Sequence, residues 1–340
     1  MAAKKIKISD IADLTGLSRA TIDRVLNDRD GVKLATQQKV KKAVRDLKVA
    51  RDGVKTGQFR GTMKLRVVLP KGSNPFFSQL RSGFNKTLAP FTKADVSVIF
   101  QTVDPYEPST LIKALEQTSK DTNAVITLGV DIPEFENSIN TLVDRGVRVV
   151  TVVSDVPNSK RAVFVGQDNF VTGRTAGRLM LNALPKGECS IAVIIGHLHF
   201  RHLLDRQAGF QQVIGLERPE ITVLPLGPYG ADPQNTPAII AKIKALRASL
   251  KGVYIAGGGQ PYLAEAISKL DLADPVIIGH EKTLVSQAHL QQGTFKFILA
   301  HDVQDIAEKA VAATLDETTY GTRYCGIHMF VKENFPEILV

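Results

Sequence analysis

Several groups of residues in this 340-residue chain have types and spacings that can do chemistry. His197, His199 and His202 are closely spaced, but no cysteine or carboxylate pattern accompanies them. A solvated loop is therefore expected there, not a metal centre. The run Gly257-Gly258-Gly259 has neither the spacing of a dinucleotide fingerprint nor the Lys-Ser/Thr pair of a phosphate-binding loop. No Gly-x-Ser-x-Gly elbow occurs, and no carboxylate pair is marked for acid–base work. Neither enzyme chemistry nor a metal or cofactor is expected. What remains is recognition. Asn74, Asp155, Glu281 and His301 offer planar donors and acceptors for pairs of hydroxyls, and Phe76 and Phe77 offer flat apolar faces for C–H surfaces. That combination suits a sugar or polyol. Each polar member can equally be a strand-end residue facing water, and the rings can be core.

A second group is cationic. Residues 1–60 hold nine Lys and six Arg against seven Asp and no Glu, an excess of +8 out of a total of +9. The other 280 residues are nearly balanced. A concentrated basic segment attracts a polyanion by releasing its counterions. A solubilising tail would carry the same charge, but tails lack the apolar patterning of a folded unit.

This segment is patterned. Ser9 is placed to cap a short helix carrying Ile11, Ala12 and Leu14, and Gly16 suits the left-handed position of a tight turn. Ser18 then caps a second helix, Arg19 to Asn27, with Ile22, Val25 and Leu26 inward. Thr36 begins a third, in which Val40, Ala43, Val44 and Leu47 form an apolar stripe. Three short helices with a three-residue turn between the first two describe a helix-turn-helix unit.

The stretch Ile8-Ser-Asp-Ile-Ala-Asp-Leu-Thr-Gly-Leu-Ser-Arg-Ala-Thr-Ile-Asp-Arg-Val-Leu-Asn27 resembles the headpiece of the LacI/GalR family of bacterial transcription regulators. Leu17, Ile22 and Asp23 stand where the family pattern has Val, Val and Ser. The resemblance implies that Arg19 and Ala20 begin the recognition helix and read base edges in the major groove, with Arg24 further along. Arginine suits guanine O6 and N7, and an alanine methyl suits thymine. Ser18, Thr21, Asn27 and Thr36 are the implied phosphate contacts. Beyond the headpiece (residues 1–48) the chain departs from the family. Residues 49–62 lack the Pro-Asn of the usual hinge helix. Lys55 and Gln58 replace its Ala and Leu, and Gly53, Gly57 and Gly61 disfavour a helix. A basic linker is expected, although Val54 or Phe59 can still supply an apolar wedge.

From residue 63 onward short β-branched runs alternate with helical stretches. Leu65–Leu69, Val96–Phe100, Ala124–Leu128 and Val147–Val153 read as buried parallel strands. So do Ser190–Ile195, Thr222–Pro225, Gly252–Ala256 and Val276–Gly279. Two series of four units imply an α/β body of two similar doubly wound lobes, with ligand bound between them at the carboxyl ends of the strands. Asn74-Pro-Phe-Phe77, Val165 to Arg174, Arg206-Gln-Ala-Gly-Phe210 and Ile278-Gly-His-Glu281 resemble the type I periplasmic-binding-protein fold that LacI/GalR regulators use for effectors. The resemblance implies an effector domain over 63–332. Its lobes take in about 63–166 plus 302–322 and about 167–300 plus 323–332, with crossings near 167, 300 and 323. It also adds Arg206 to the effector residues. Leu204 stands where the sugar-binding pattern has an Arg, and Arg206 or His202 is the substitute.

Together these readings predict a ligand-responsive, sequence-specific DNA-binding regulator, most simply a repressor, acting as a homodimer on a double-stranded operator. Leu80 and Phe84 form either its seam or part of the core. A solute-binding protein and a sugar-modifying α/β enzyme are the alternatives. The basic start is not followed by an apolar run, and no stretch approaches the roughly 18 apolar residues of a membrane span. With only Cys189 and Cys325, a reducing cytoplasmic setting is expected.

Overall fold

The computed structural model describes residues 7–26, 32, 36–37, 39–40, 43, 62–71, 74–91, 96–104, 107–230, 233–257 and 260–336. The chain forms two compact units, residues 1–60 and 61–340.

In the first unit, α1 (Ile8–Thr15) and α2 (Arg19–Leu26) are joined by Gly16-Leu17-Ser18. Gly16 takes φ +66°, and its N–H caps the Ala12 carbonyl at 2.8 Å. A Cβ is disfavoured in that conformation, so glycine is the natural residue for the stop. The start of α1 differs from expectation. Ser9 lies inside the helix, and the Asp10 carboxylate accepts the Lys7 N–H at 3.1 Å, so the first turn begins earlier. Ser18 caps α2 as its sequence suggests, its Oγ accepting the Thr21 N–H at 3.2 Å. Ile11, Ile22, Val25, Val40 and Ala43 are buried together as one small core. Leu14 and Leu26 are exposed. Residues 36, 37, 39, 40 and 43 are helical. Asn27 and nearly all of the linker lie outside the described residues.

The second unit is built from two α/β lobes with the same strand order. The first runs β1 (Met63–Pro70), α3 (Pro75–Leu88), β2 (Val96–Val103), α4 (Pro108–Glu116), β3 (Ala124–Leu128), α5 (Pro133–Asp144), β4 (Arg148–Val152) and β5 (Val163–Gly166). The chain then crosses into α6 (Asn169–Ala183), β6 (Ser190–Ile195), α7 (Arg201–Glu217), β7 (Thr222–Pro225), α8 (Thr236–Ala245), β8 (Leu250–Gly257), α9 (Gln260–Ser268), β9 (Val276–His280), α10 (Leu284–Gln291) and β10 (Phe297–His301). It returns as α11 (Val303–Leu315) and β11 (Gly321–Tyr324), then crosses a third time into β12 (Ile327–Phe330).

The sheets are ordered β11-β5-β4-β3-β1-β2 and β12-β10-β9-β8-β6-β7. All recorded pairings are parallel except β12 against β10. Strands β3 and β6 are buried at every residue, as a sheet covered on both faces requires. Each sheet has six strands where the sequence suggests four. The additions are β5, β10, β11 and β12, all beside a crossing. Leu80 and Phe84 are fully buried in a helix packed against α11, so they belong to the core.

Helices α6 and α7 approach so closely that side chains are excluded where they cross. A Cβ on Gly173 would lie 2.0 Å from the Arg206 carbonyl oxygen, and one on Gly209 would lie 2.1 Å from that of Phe170. This contact fixes the helix that carries Arg206. G173A is therefore expected to lower stability by about 1–3 kcal/mol through overpacking. Chemical denaturation with midpoint and slope checks it; a midpoint equal to that of the parent contradicts the close approach.

Candidate functional site

On the first unit, Ser18, Arg19, Ala20 and Arg24 are exposed, and Thr21 and Thr36 are half-buried. Arg19, Ala20 and Asp23 line a shallow surface hollow with Lys7, Ile8 and Ser9 from the start of α1. The buried side of α2, Ile22 and Val25, is held by the small core, so its opposite face is presented on a rigid support. One helix thus offers a guanidinium, a methyl and hydroxyls side by side, the chemistry that reads base edges and phosphates.

In the second unit, groups from both lobes meet at the strand ends. The Asp131 N–H donates to the His199 carbonyl at 2.8 Å, and Arg201 faces Asp131 at 3.6 Å. Gln79 donates to the Lys282 carbonyl at 2.9 Å. Asn74 caps α3, its Oδ1 accepting the Phe76 N–H at 3.1 Å. That cap aims the first turn of α3. The Phe76 ring lies 5.2 Å from the His301 ring and 5.3 Å, edge-on, from Phe77. Phe76 is buried and Phe77 is partly exposed.

The polar heart is Arg206, Glu281 and His301. Arg206 is 1% exposed. Its Nε donates to Asn169 Oδ1 and its Nη1 to the Ala256 carbonyl, both at 2.9 Å, and Nη2 stands 3.9 Å from Glu281. Gly257, at φ +137°, brings the end of β8 up to this guanidinium; a Cβ there would sit 3.3 Å from Nη1. Glu281 takes φ +71°, a costly conformation for a residue with a side chain. The reason is visible: its N–H closes on the Leu299 carbonyl at 2.8 Å while its carboxylate receives His301 Nδ1 at 2.8 Å and the His301 N–H at 3.3 Å. Burial alone would raise the Glu281 pKa, but His301 and then Arg206 hold it below the usual carboxylate range.

Four buried polar atoms here find no hydrogen-bond partner in the protein: Arg206 Nη2, His301 Nε2, His202 Nδ1 and Gln167 Oε1. An orphaned buried group costs about 1–3 kcal/mol unless water or a ligand satisfies it, so these four atoms are candidate contacts for a bound polar molecule. They combine a fixed donor with acceptor-capable atoms beside aromatic faces, a set suited to hydroxyls on a compact ring.

Asp155 is engaged elsewhere. Both its carboxylate oxygens bond Arg161, and Oδ1 also accepts Thr151 Oγ1 and the Val156 N–H. Asn169, His202, Tyr254 and His280 are additions that sequence reading did not assign to the cleft; His202 entered it only as a stand-in for a missing guanidinium. Tyr254 Oη and His280 Nε2 are 2.9 Å apart. Burial, aided by Arg206 and His301, pushes His202 and His280 well below the ordinary histidine value, and burial pushes the Tyr254 phenol up. The repeated lobes supply the signal that finds Gln167, since it occupies the position in the first lobe that His301 occupies in the second.

Residues 65–321 match the periplasmic binding protein domain family, and the chain belongs to it. Residues 7–50 match the bacterial regulatory proteins of the lacI family. The PurR transcriptional repressor of Vibrio parahaemolyticus is 26% identical over 210 residues, 61% of this chain and 60% of that protein. Catabolite control protein A of Staphylococcus aureus is 27% identical over 62% of this chain and 61% of its own. The chain thus spans about 60% of the length of the curated relatives it matches. A solute-binding protein of Burkholderia graminis, solved with D-arabinose, superposes at a TM-score of 0.73 with 21% identity, covering 81% of this chain and 96% of that one, which shows the shared fold.

The two neutral histidines set a pH dependence. Their folded pKa values lie below the ordinary 6.5, so below that pH the unfolded chain binds protons the folded chain refuses. Stability is therefore expected to fall as the pH drops below 6.5, by about 1.4 kcal/mol per pH unit for each group. H202Q should flatten that slope by one proton in urea titrations at stepped pH; an unchanged slope contradicts the assignment.

Proposed function

We propose that this protein is a ligand-responsive, sequence-specific DNA-binding regulator, a repressor in its simplest form, that acts in the cytoplasm. In this reading residues 1–48 bind DNA, 49–62 link, and 63–332 sense a small sugar or polyol. The observation that carries it is the presence in one chain of an exposed recognition helix on a basic unit and of four orphaned polar atoms in a two-lobed body. The repressors among the relatives, including a sucrose operon repressor of Pediococcus pentosaceus, support it.

Arg19, Ala20 and Arg24 contact bases, with Ser18, Thr21, Asn27 and Thr36 on phosphates. Asn74, Phe76, Phe77, Arg206, Glu281 and His301 hold the effector, with Gln167 and His202 added and Asp155 supporting the wall through Arg161. The protein performs no catalysis in this account. A homodimer follows from the arithmetic of recognition, because one headpiece reads too few base pairs for useful specificity. Ligand that prefers one arrangement of the lobes shifts the population of the DNA-competent state by that preference and no more. A solute-binding protein is the second reading, favoured by the fold shared with the arabinose-bound structure.

Fluorescence anisotropy of a labelled duplex from the promoter beside the protein's own gene separates the two. At fixed salt, tight retention is expected, and R19A should cost about 1–3 kcal/mol, roughly five- to 150-fold in Kd. Addition of aldoses and polyols one at a time should change the parent's affinity with at least one of them. No retention of the duplex, or an R19A titration that overlays the parent, contradicts the proposal.

A further inference from the structure

Gln167 is 1% exposed and sits on the first crossing between the lobes. Its side-chain amide donates to the Ala300 carbonyl at 2.8 Å and to the Gly326 carbonyl at 3.2 Å. Ala300 lies in β10, directly before the second crossing, and Gly326 lies on the third, between β11 and β12. One amide therefore ties together all three passages of the chain between the lobes. The tie is reinforced by the Cys325 N–H, which donates to the Gly166 carbonyl at 2.7 Å.

Among uncharged side chains, only a primary amide has two N–H groups to give from one nitrogen. With both engaged, the orientation of the amide is fixed and its Oε1 is the orphaned acceptor noted above. The same residue is wired to the polar cluster. Its backbone carbonyl accepts Asn169 Nδ2 at 3.1 Å, and Asn169 Oδ1 accepts Arg206 Nε. Next to Ala300 stands His301, held by Glu281.

The internal repeat explains the placement. Val153 and Glu281 both leave their strands at positive φ, +68° and +71°, and donate to Val165 and Leu299 respectively. Two residues beyond those acceptors come Gln167 in one lobe and His301 in the other. The equivalent crossing positions thus differ: the His301 side chain bonds Glu281, whereas the Gln167 amide N–H groups bind the crossings to one another and leave only its Oε1 without a protein partner.

We propose that Gln167 is a positioning residue, a clasp on the hinge whose two amide hydrogen bonds hold the three crossings in register and set how readily the lobes open. This rests on the reading of the body as a two-lobed sensor. The operator titration above tests that reading, and the experiment here tests the clasp alone without any ligand.

The experiment is amide hydrogen exchange of the full-length protein, read by mass spectrometry, with Q167M removing both donors at similar volume. Peptides spanning 297–303 and 321–328 should exchange about tenfold faster or more, and peptides from the cores of β3 and β8 should keep their parent rates. In the unaltered protein the two crossing peptides should open in concert, which is measurable even if Q167M does not fold. Unchanged exchange at the crossings overturns the proposal. So does acceleration spread equally through β3 and β8, which would make Gln167 an ordinary core residue. Independent opening of the two crossing peptides in the parent overturns it as well.

Discussion

A guanidinium buried at 1% exposure is the constraint on which the body of this protein depends. Taking a charge out of water costs several kcal/mol even after relaxation, and the cost is met only if the charge is paired and its donors are placed. Arg206 is supplied with an Asn169 side chain, an Ala256 carbonyl and the Glu281 carboxylate, one from each of three elements. Glu281 in turn needs His301 at the end of β10. The requirement reaches into the backbone: α6 and α7 cross through glycines so that Arg206 arrives at the right depth, and Glu281 accepts a left-handed conformation. Fold and site are one arrangement here.

The same constraint leaves bonding capacity open. Arg206 Nη2 and His301 Nε2 have no hydrogen-bond partner in the protein, although Arg206 Nε and Nη1 and His301 Nδ1 are bonded. Such groups are preorganised, because their orientation is already set by neighbours and little entropy is lost when a ligand meets them. Burial also disfavours the charged forms of the neighbouring His202 and His280.

Much of this was legible in the sequence, for local reasons. The helix-turn-helix pattern occupies some twenty contiguous residues, and Ile11, Ile22 and Val25 in it are core as their spacing implies, whereas Leu26, read as inward, is exposed. Strands β1, β3 and β6 announce themselves as buried β-branched runs. Strands β11 and β12 do not, because they are edge strands with mostly exposed side chains, and β5 has only four residues. Helix α7 carries two glycines, and Gly209 serves close packing against α6. The strand-end rule pointed to Asn74, Phe76, Glu281 and His301, which the structure links through contacts to one another. It also pointed to Asp155, whose partner Arg161 comes from an irregular loop with no periodic signal. Gln167 and Ala300 are 133 positions apart, and no local pattern foretells that bond.

The central claim is that the N-terminal unit reads base sequence on behalf of the sensor attached to it. Selection by the full-length protein from a pool of random duplexes, at fixed and moderate salt, tests it most directly. The account predicts enrichment of an inverted repeat with a guanine in each half-site, where Arg19 docks. Recovery of duplexes with no shared sequence, held only by charge and lost as salt rises, would contradict it.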